Sequence, residues 1–374
     1  MAQIRIEENS GFEDVCAWAT NGVKKITFEL LKKSSFQIFV EGVAVGLLRE
    51  LVCKGVSINI KFYKNPDLVG LNMAQLHPIL MSIFGLELLR VTEKIYNQDG
   101  VEWDVRRQLG ERIWRSVLEN RGVLGDGRRA YIISRHDYAV PKCIRQSEYS
   151  VEFPRYDYFK SSFSRLLVGL RGYSHKIGKH EAILIEWLHH IAENALEHGS
   201  KTSEGEIEGF RGISIGKIHF SREHQHVNVR GLPEFVRDYL DNILRSGRWP
   251  LKRITLNYAS VIDLGEGLHN TVSGMDSLSD CERLKYVFKD GVTRKTDLMN
   301  EKSGYGLGQA LIAAKALDAY MHIVSERLEV HVNFFGRGEQ KTLRELLHCA
   351  PIDCNKKGSS VSILWLTESQ IVEG

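Results

Sequence analysis

Proline is scarce in this chain, seven among 374 residues, and no repeated or low-complexity tract is present. A Pro-rich linker and a repeat architecture are thereby excluded. Long apolar runs are missing too: the stretch Phe36 to Leu48 holds Gln37 and Glu41 and falls short of the roughly 20 residues a bilayer crossing takes. The opening Met-Ala-Gln-Ile-Arg-Ile-Glu-Glu lacks the basic-then-apolar order of a signal peptide. Neither sign of charge dominates. Fifty Lys plus Arg stand against 47 Asp plus Glu, a formal +3, so no global field draws the chain toward nucleic acid or an anionic membrane. The six cysteines, Cys16, Cys53, Cys143, Cys281, Cys349 and Cys354, form no CxxC pair and read as idle thiols of a reducing compartment. Cys349 and Cys354 beside His348 lack a second ligand pair at zinc spacing. These absences predict a soluble, cytoplasmic protein with no membrane partner.

What is present, 43% apolar and 26% charged residues, is ordinary globular composition with room for two domains. Val56, Ile58, Ile60 and Phe62 alternate with polar residues, the period of a strand with one buried face. Before it, Ala44, Leu47, Leu48, Leu51 and Val52 follow helical spacing up to Gly55. Further upstream Ile26 to Leu30 and Phe36 to Val40 read as two strands, and Gln75 to Arg90 as a second helix. The expected order is strand, strand, helix, strand, a small α/β unit within residues 1–150. Residues 105–145 carry ten basic side chains, among them Arg106, Arg128, Arg129 and Arg145, against four acidic ones. A solvated connecting face accounts for that block; a contact surface for nucleic acid is the rival reading.

Chemistry concentrates in residues 151–374. From Glu181 to His198, Ile183, Leu184, Trp187, Leu188, Ile191, Ala192 and Ala195 hold one face of a helix that Gly199 is placed to stop. His190, Asn194 and His198 stand four apart, on a stripe bordering that apolar face. Helical metalloprotease patterns are not matched there; a satisfied polar network or an Asn amide holding magnesium are the readings left. Downstream, Ser260 to Gly267 reads as an apolar strand ending in Asp263-x-Gly265-x-Gly267. A carboxylate at a strand end can accept an exocyclic amine, and the glycines allow close backbone approach. Gly304-Tyr305-Gly306-Leu307-Gly308 then leads into an apolar helix from Ala310 to Leu317, so that backbone amides at its N-terminus suit a triphosphate.

The order of these motifs, Glu193-Asn194-Ala195-Leu196-Glu197-His198-Gly199, Asp263-x-Gly265-x-Gly267, Gly304-x-Gly306-Leu307-Gly308 and a last strand opened by Gly358-Ser359-Ser360, resembles the GHKL family of gyrase, heat-shock chaperones, histidine kinases and MutL. The resemblance covers roughly residues 160–370. It implies a Bergerat-type ATP site on an α/β sandwich, a mixed sheet with helices on one face. By similarity, Asn194 would hold magnesium, Asp263 would bind adenine, and Gly265 and Gly267 would shape the base pocket. Gly304, Gly306, Leu307 and Gly308 would form the phosphate loop and lid hinge, Lys295 in the lid would reach a phosphate, and Ser359 would support the Asp through water. The N-terminal strands and helices are weakly similar in order to STAS-like domains.

Hydrolysing members place a general-base Glu four residues before the magnesium Asn, where this chain has His190. An imidazole accepts a proton near neutral pH, and Glu193 is a second candidate base. The resemblance therefore implies a magnesium-dependent ATPase whose lid closure switches a protein contact or a homodimer. An anti-sigma-type Ser/Thr protein kinase and a nucleotide-sensing module with nucleic-acid contact are the alternatives. A histidine kinase proper is disfavoured, since no phosphoacceptor hairpin stands upstream. Gly205 to Gly216 and His219 to His226 are expected to form an inserted hairpin and loop.

Overall fold

A computed structural model of the chain describes residues 1–63, 78–119, 123–133, 154–169, 179–198, 210–221, 234–246, 253–288, 306–335 and 347–366, with interruptions of one to three residues inside these stretches. Among the described residues no helix is long and apolar enough to cross a membrane.

The N-terminal unit alternates strand and helix: β1 (Ala2–Ile6), α1 (Phe12–Cys16), β2 (Lys25–Leu30), α2 (Val40–Cys53), β3 (Ser57–Phe62), α3 (Ile83–Val91) and β4 (Thr92–Tyr96). Its four strands are all parallel, in the order β1-β2-β3-β4. Parallel neighbours need crossovers, and one hand of crossover repeated along a sheet collects the helices on one face; α1 packs on α2 and α2 on α3 accordingly. The expected strand over Phe36 to Val40 is not formed. Phe36 makes a single bridge to Ser10, Phe39 adopts a left-handed φ of 70°, and α2 starts at Val40. Phe36, Phe39, Val40, Val43, Ala44 and Leu47 are all buried, and a continuous apolar run carries no period that separates a strand from a helix entry. Strict alternation replaces the expected strand-strand-helix-strand order. The helix expected over Gln75 to Arg90 is split: a 3-10 turn, Pro78–Met81, precedes α3, whose cap Ser82 accepts through Oγ from the Gly85 N–H at 3.2 Å.

After α4 (Arg106–Glu119) the chain builds a larger sheet from β5 (Val123–Gly125), β6 (Arg129–Ile133), β7 (Phe210–Ser221), β8 (Arg253–Asp263), β9 (Tyr320–Ser325), β10 (Leu328–Asn333), β11 (His348–Pro351) and β12 (Ser359–Leu366). The order is β11-β10-β9-β12-β8-β7-β6-β5, and every neighbouring pair is antiparallel. The protein is thus α/β with one parallel and one antiparallel sheet, and the mixed sheet expected in the C-terminal part is corrected to an antiparallel one. β6 pairs with β7 and β5 with β6, so both strands belong to this sheet although they stand before the boundary expected near 150. The expected insertion after Gly205 includes β7 itself, a 12-residue strand paired on both sides.

Among the described residues five helices flank this sheet: α5 (Tyr156–Gly169), α6 (Lys179–His198), α7 (Glu234–Arg245), α8 (Asp280–Val287) and α9 (Gly306–Ala316). Strand alternation divides its side chains between two cores. Ala259, Val261, Met321, Ile323, Val361 and Ile363 join α5, α6, α8 and α9 on one face. Ile262, Leu264 and Val324 join α2 and α3 on the other, and Leu256, Leu364 and Leu366 join α7 there. Helices on one face only were expected; the second face is covered by the N-terminal unit and α7. Glycines make the close approach of α2 feasible. A Cβ on Gly42 would stand 2.4 Å from Ser360 Cβ, and one on Gly46 would stand 2.4 Å from the Lys357 carbonyl oxygen. Arg211 of β7 meets Glu87 of α3 at 3.1 Å in the same junction.

Candidate functional site

The strongest polar convergence on the α6/α9 side of the large sheet lies where β8 and β12 end. Asp263 is the last residue of β8, and antiparallel register sets it opposite Ser359, the first of β12. Both side chains are buried. Their parity with Val261 and Val361 directs them toward the helical face. Asp263 Oδ1 accepts from the Gly265 N–H at 3.1 Å, which turns the chain out of the strand. Burial raises its pKa above the ordinary carboxylate range, opposed by the Lys356 ammonium and the Gly265 amide. Lys356, itself fully buried, donates to the Gly358 carbonyl at 3.0 Å, and burial lowers its pKa. Gly358 needs its φ of +73°, and a Cβ there would strike the Asp263 carbonyl oxygen at 2.1 Å. Ser359 Oγ is buried with no hydrogen-bond partner among the described residues, an arrangement that invites a water or a ligand group.

Gly267 follows in the same turn and starts a 3-10 segment, Leu268–Thr271. A Cβ on it would lie 2.9 Å from Ser325 Oγ, His269 Cε1 and Glu326 Cγ. Ser325 Oγ accepts from the Leu268 N–H at 2.7 Å and stands 3.3 Å from His269 Nδ1, while His269 Nε2 faces Glu326 at 3.5 Å. This buried network anchors the turn to β9, and its residues had no signal in the linear sequence.

Helix α6 crosses β7 and β8 and packs against α9. Trp187, Leu188, Ile191, Ala192, Ala195 and Leu196 are buried beneath it, whereas His190, Glu193 and Asn194 are half-buried on its border, as their spacing predicted. His190 Nδ1 has no hydrogen-bond partner among the described residues. Burial, with the neighbouring His189, lowers the His190 pKa, which favours the neutral ring. His189 donates from Nε2–H to the Pro154 carbonyl at 3.1 Å and approaches Glu193 at 3.9 Å through Nδ1. His189, His190 and Glu193 hold ligand atoms within 4.8 Å of one another. The side chain of His198 lies outside the described residues.

Gly306, Leu307 and Gly308 form the first turn of α9, with Leu307 and Gly308 buried against the helical core. Gly304 and Lys295 lie outside the described residues. Of the basic block, Arg106 donates to the Arg90 carbonyl at 2.9 Å and Arg107 pairs with Glu111 at 2.8 Å; both are engaged within the chain. Two cysteines expected to be idle are not, because Cys281 and Cys349 form a disulfide between α8 and β11.

No family model matches the chain, and no curated protein or solved structure matches it.

Proposed function

We propose that the chain is a magnesium-dependent ATP-binding protein of GHKL type, a slow ATPase whose nucleotide state changes a protein contact or a homodimer. The observation that carries this reading is the buried pair at the strand ends, a carboxylate opposite a hydroxyl that has no hydrogen-bond partner among the described residues, on the face of the sheet that α6 and α9 cover. Buried polar atoms without partners are rare in folded proteins, so a ligand that supplies donors fits there. In this reading Asp263 accepts the exocyclic amine of adenine, and Ser359 completes that contact. Gly265 and Gly267 keep the turn clear of side chains, and Gly304, Gly306, Leu307 and Gly308 with Lys295 attend to the phosphates. Asn194 holds magnesium through its amide oxygen, and the ion would supply charge neutralisation at the phosphate oxygens.

His190, neutral and half-buried, takes the proton of the attacking water, with Glu193 next to Asn194 as the alternative base. A second reading is an anti-sigma-type kinase in which the γ-phosphoryl group goes to a partner hydroxyl. The fate of the γ-phosphate separates the two. Incubation of the full chain with γ-labelled ATP and magnesium is expected to give free phosphate, reduced about 100-fold or more in His190→Gln with nucleotide binding retained. Binding with no release would move the assignment to the kinase or to a nucleotide-sensing module. Failure of the parent to bind ATP at all would overturn the family reading.

A further inference from the structure

On the opposite face of the large sheet, under α7 and the N-terminal unit, three side chains from one hairpin converge. β9 and β10 are joined at Glu326 and Arg327, and their register sets His322 directly opposite His331, with Glu329 two residues away on the same face. The two imidazoles stack, with centroids 4.7 Å apart and planes 11° apart. Each points Nε2 at one carboxylate oxygen: His322 at 3.4 Å and His331 at 3.2 Å from Glu329 Oε2. All three ligand atoms lie within 4.8 Å of one another.

We propose that His322, Glu329 and His331 form a zinc site with an open coordination position, separate from the nucleotide site and independent of the reading given to it. Three observations carry this. The first is geometry: with zinc–ligand bonds of about 2.0–2.1 Å, neighbouring ligands of a tetrahedron stand about 3.3–3.4 Å apart, and the two nitrogen-to-oxygen separations match those edges. The second is an orphan. His331 is buried, and its Nε2 stands 3.2 Å from the Glu329 carboxylate without a well-directed hydrogen bond among the described residues. The third is the support behind that ring. Tyr320 Oη lies 2.5 Å from His331 Nδ1, and as acceptor of an Nδ1–H it would be the outer partner that metal-binding histidines commonly keep, with the Nε2 lone pair left for the metal.

The surroundings suit such a site. Phe235 of α7 stacks on His331 at 3.8 Å, and Phe12 and Phe39 of the N-terminal unit meet the edge of His322. This apolar wall excludes competing water, while Glu329, one-fifth exposed, leaves an approach from solvent. Two imidazoles and one carboxylate select zinc over magnesium or calcium, which prefer all-oxygen shells. Three protein ligands leave the fourth place to water or a substrate atom, the open type of zinc centre.

The test is titration of chelator-treated full-length chain with zinc chloride. One zinc per chain is expected, with a Kd below about 1 μM. Glu329→Gln and His331→Gln should each weaken it at least about 100-fold, and Tyr320→Phe by about 10- to 100-fold through the lost outer partner. Glu329→Gln, at the solvent edge, is the variant of choice if His331→Gln does not fold, with circular dichroism reporting the fold. It should leave magnesium-nucleotide binding as in the parent. Cobalt(II) in place of zinc should give visible bands without a thiolate charge-transfer band, and His190→Gln should bind zinc like the parent. Absence of stoichiometric zinc in the folded parent overturns the site. So does binding that survives in folded Glu329→Gln, or that is lost instead in His190→Gln.

Discussion

At the scale of single residues, His190 decides which chemistry the α6 stripe can perform. Burial lowers its pKa below the ordinary imidazole value, so the neutral form persists into mildly acidic solution. If it is the base, kcat/KM for phosphate release falls only when the pH drops through a pKa below that of an ordinary imidazole, because protonation removes the acceptor. His190→Gln should abolish that acid limb together with most of the rate; a limb that survives in the variant assigns it to Glu193. Much of this stripe was legible beforehand. Apolar residues at helical spacing fix which face of α6 is covered, and Asn194 and His190 then fall on its border. Asp263 was legible as a strand end, since an apolar run running into Asp-x-Gly-x-Gly has one natural place to stop. What could not be read was the company Asp263 keeps. Lys356 is buried nearby although 93 residues separate the two in the chain, and no local pattern announces a lysine without water.

At the scale of elements, α2 is held by the absence of side chains. Gly42 and Gly46 stand one helical turn apart, and the sheet passes so close that a Cβ on Gly46 would overlap the Lys357 carbonyl oxygen. Helix propensity alone favours Ala over Gly by about 1 kcal/mol, which makes two substitutions a sharp pair. Gly110→Ala, in α4 with nothing near its added methyl, should raise stability by about 0.5–1 kcal/mol. Gly46→Ala should lower it by about 1–3 kcal/mol, since backbone oxygen cannot swing aside as a side chain can. Urea unfolding of the two variants beside the parent measures both, and a stabilised Gly46→Ala would refute the close packing of α2 on β12. The β9/β10 hairpin shows how nearly a site can be legible. His322 and His331 are equidistant from the Glu326-Arg327 turn, so recognising that turn would have paired them. Neither turn residue is Gly, Asn or Asp, although Glu326 adopts a φ of 51°, and the usual signal was therefore missing. The strand expected over Phe36 to Val40 failed for the opposite reason: its residues are apolar enough for either element, and the decision was made by the sheet above them.

At the scale of the whole molecule, the two sheets are clasped through α2 and α3, and few of those contacts join neighbours in sequence. Arg211 and Glu87 are both largely removed from water, so Glu87→Gln leaves a guanidinium without its carboxylate and should lower stability by about 3–5 kcal/mol. A loss below about 1 kcal/mol would mean that the pair is solvated. The α/β class followed from alternating periods. The antiparallel order of eight strands did not, because register is set by partners far along the chain. β6 pairs with β7 about 80 residues later, a partner that no local pattern shows. The Cys281–Cys349 disulfide likewise closes a separation of 68 residues. Its reduction should remove about 2–4 kcal/mol, seen as a lower urea midpoint that Cys281→Ser reproduces without reductant.

The central claim concerns nucleotide, and titration calorimetry of the full chain with ATP tests it most directly, with and without magnesium and beside Asn194→Ala and Asp263→Ala. The account predicts one ATP per chain, tighter with magnesium, with the magnesium dependence lost in Asn194→Ala and binding lost in Asp263→Ala. Absence of binding by the folded parent, or equal binding by both variants, would contradict it.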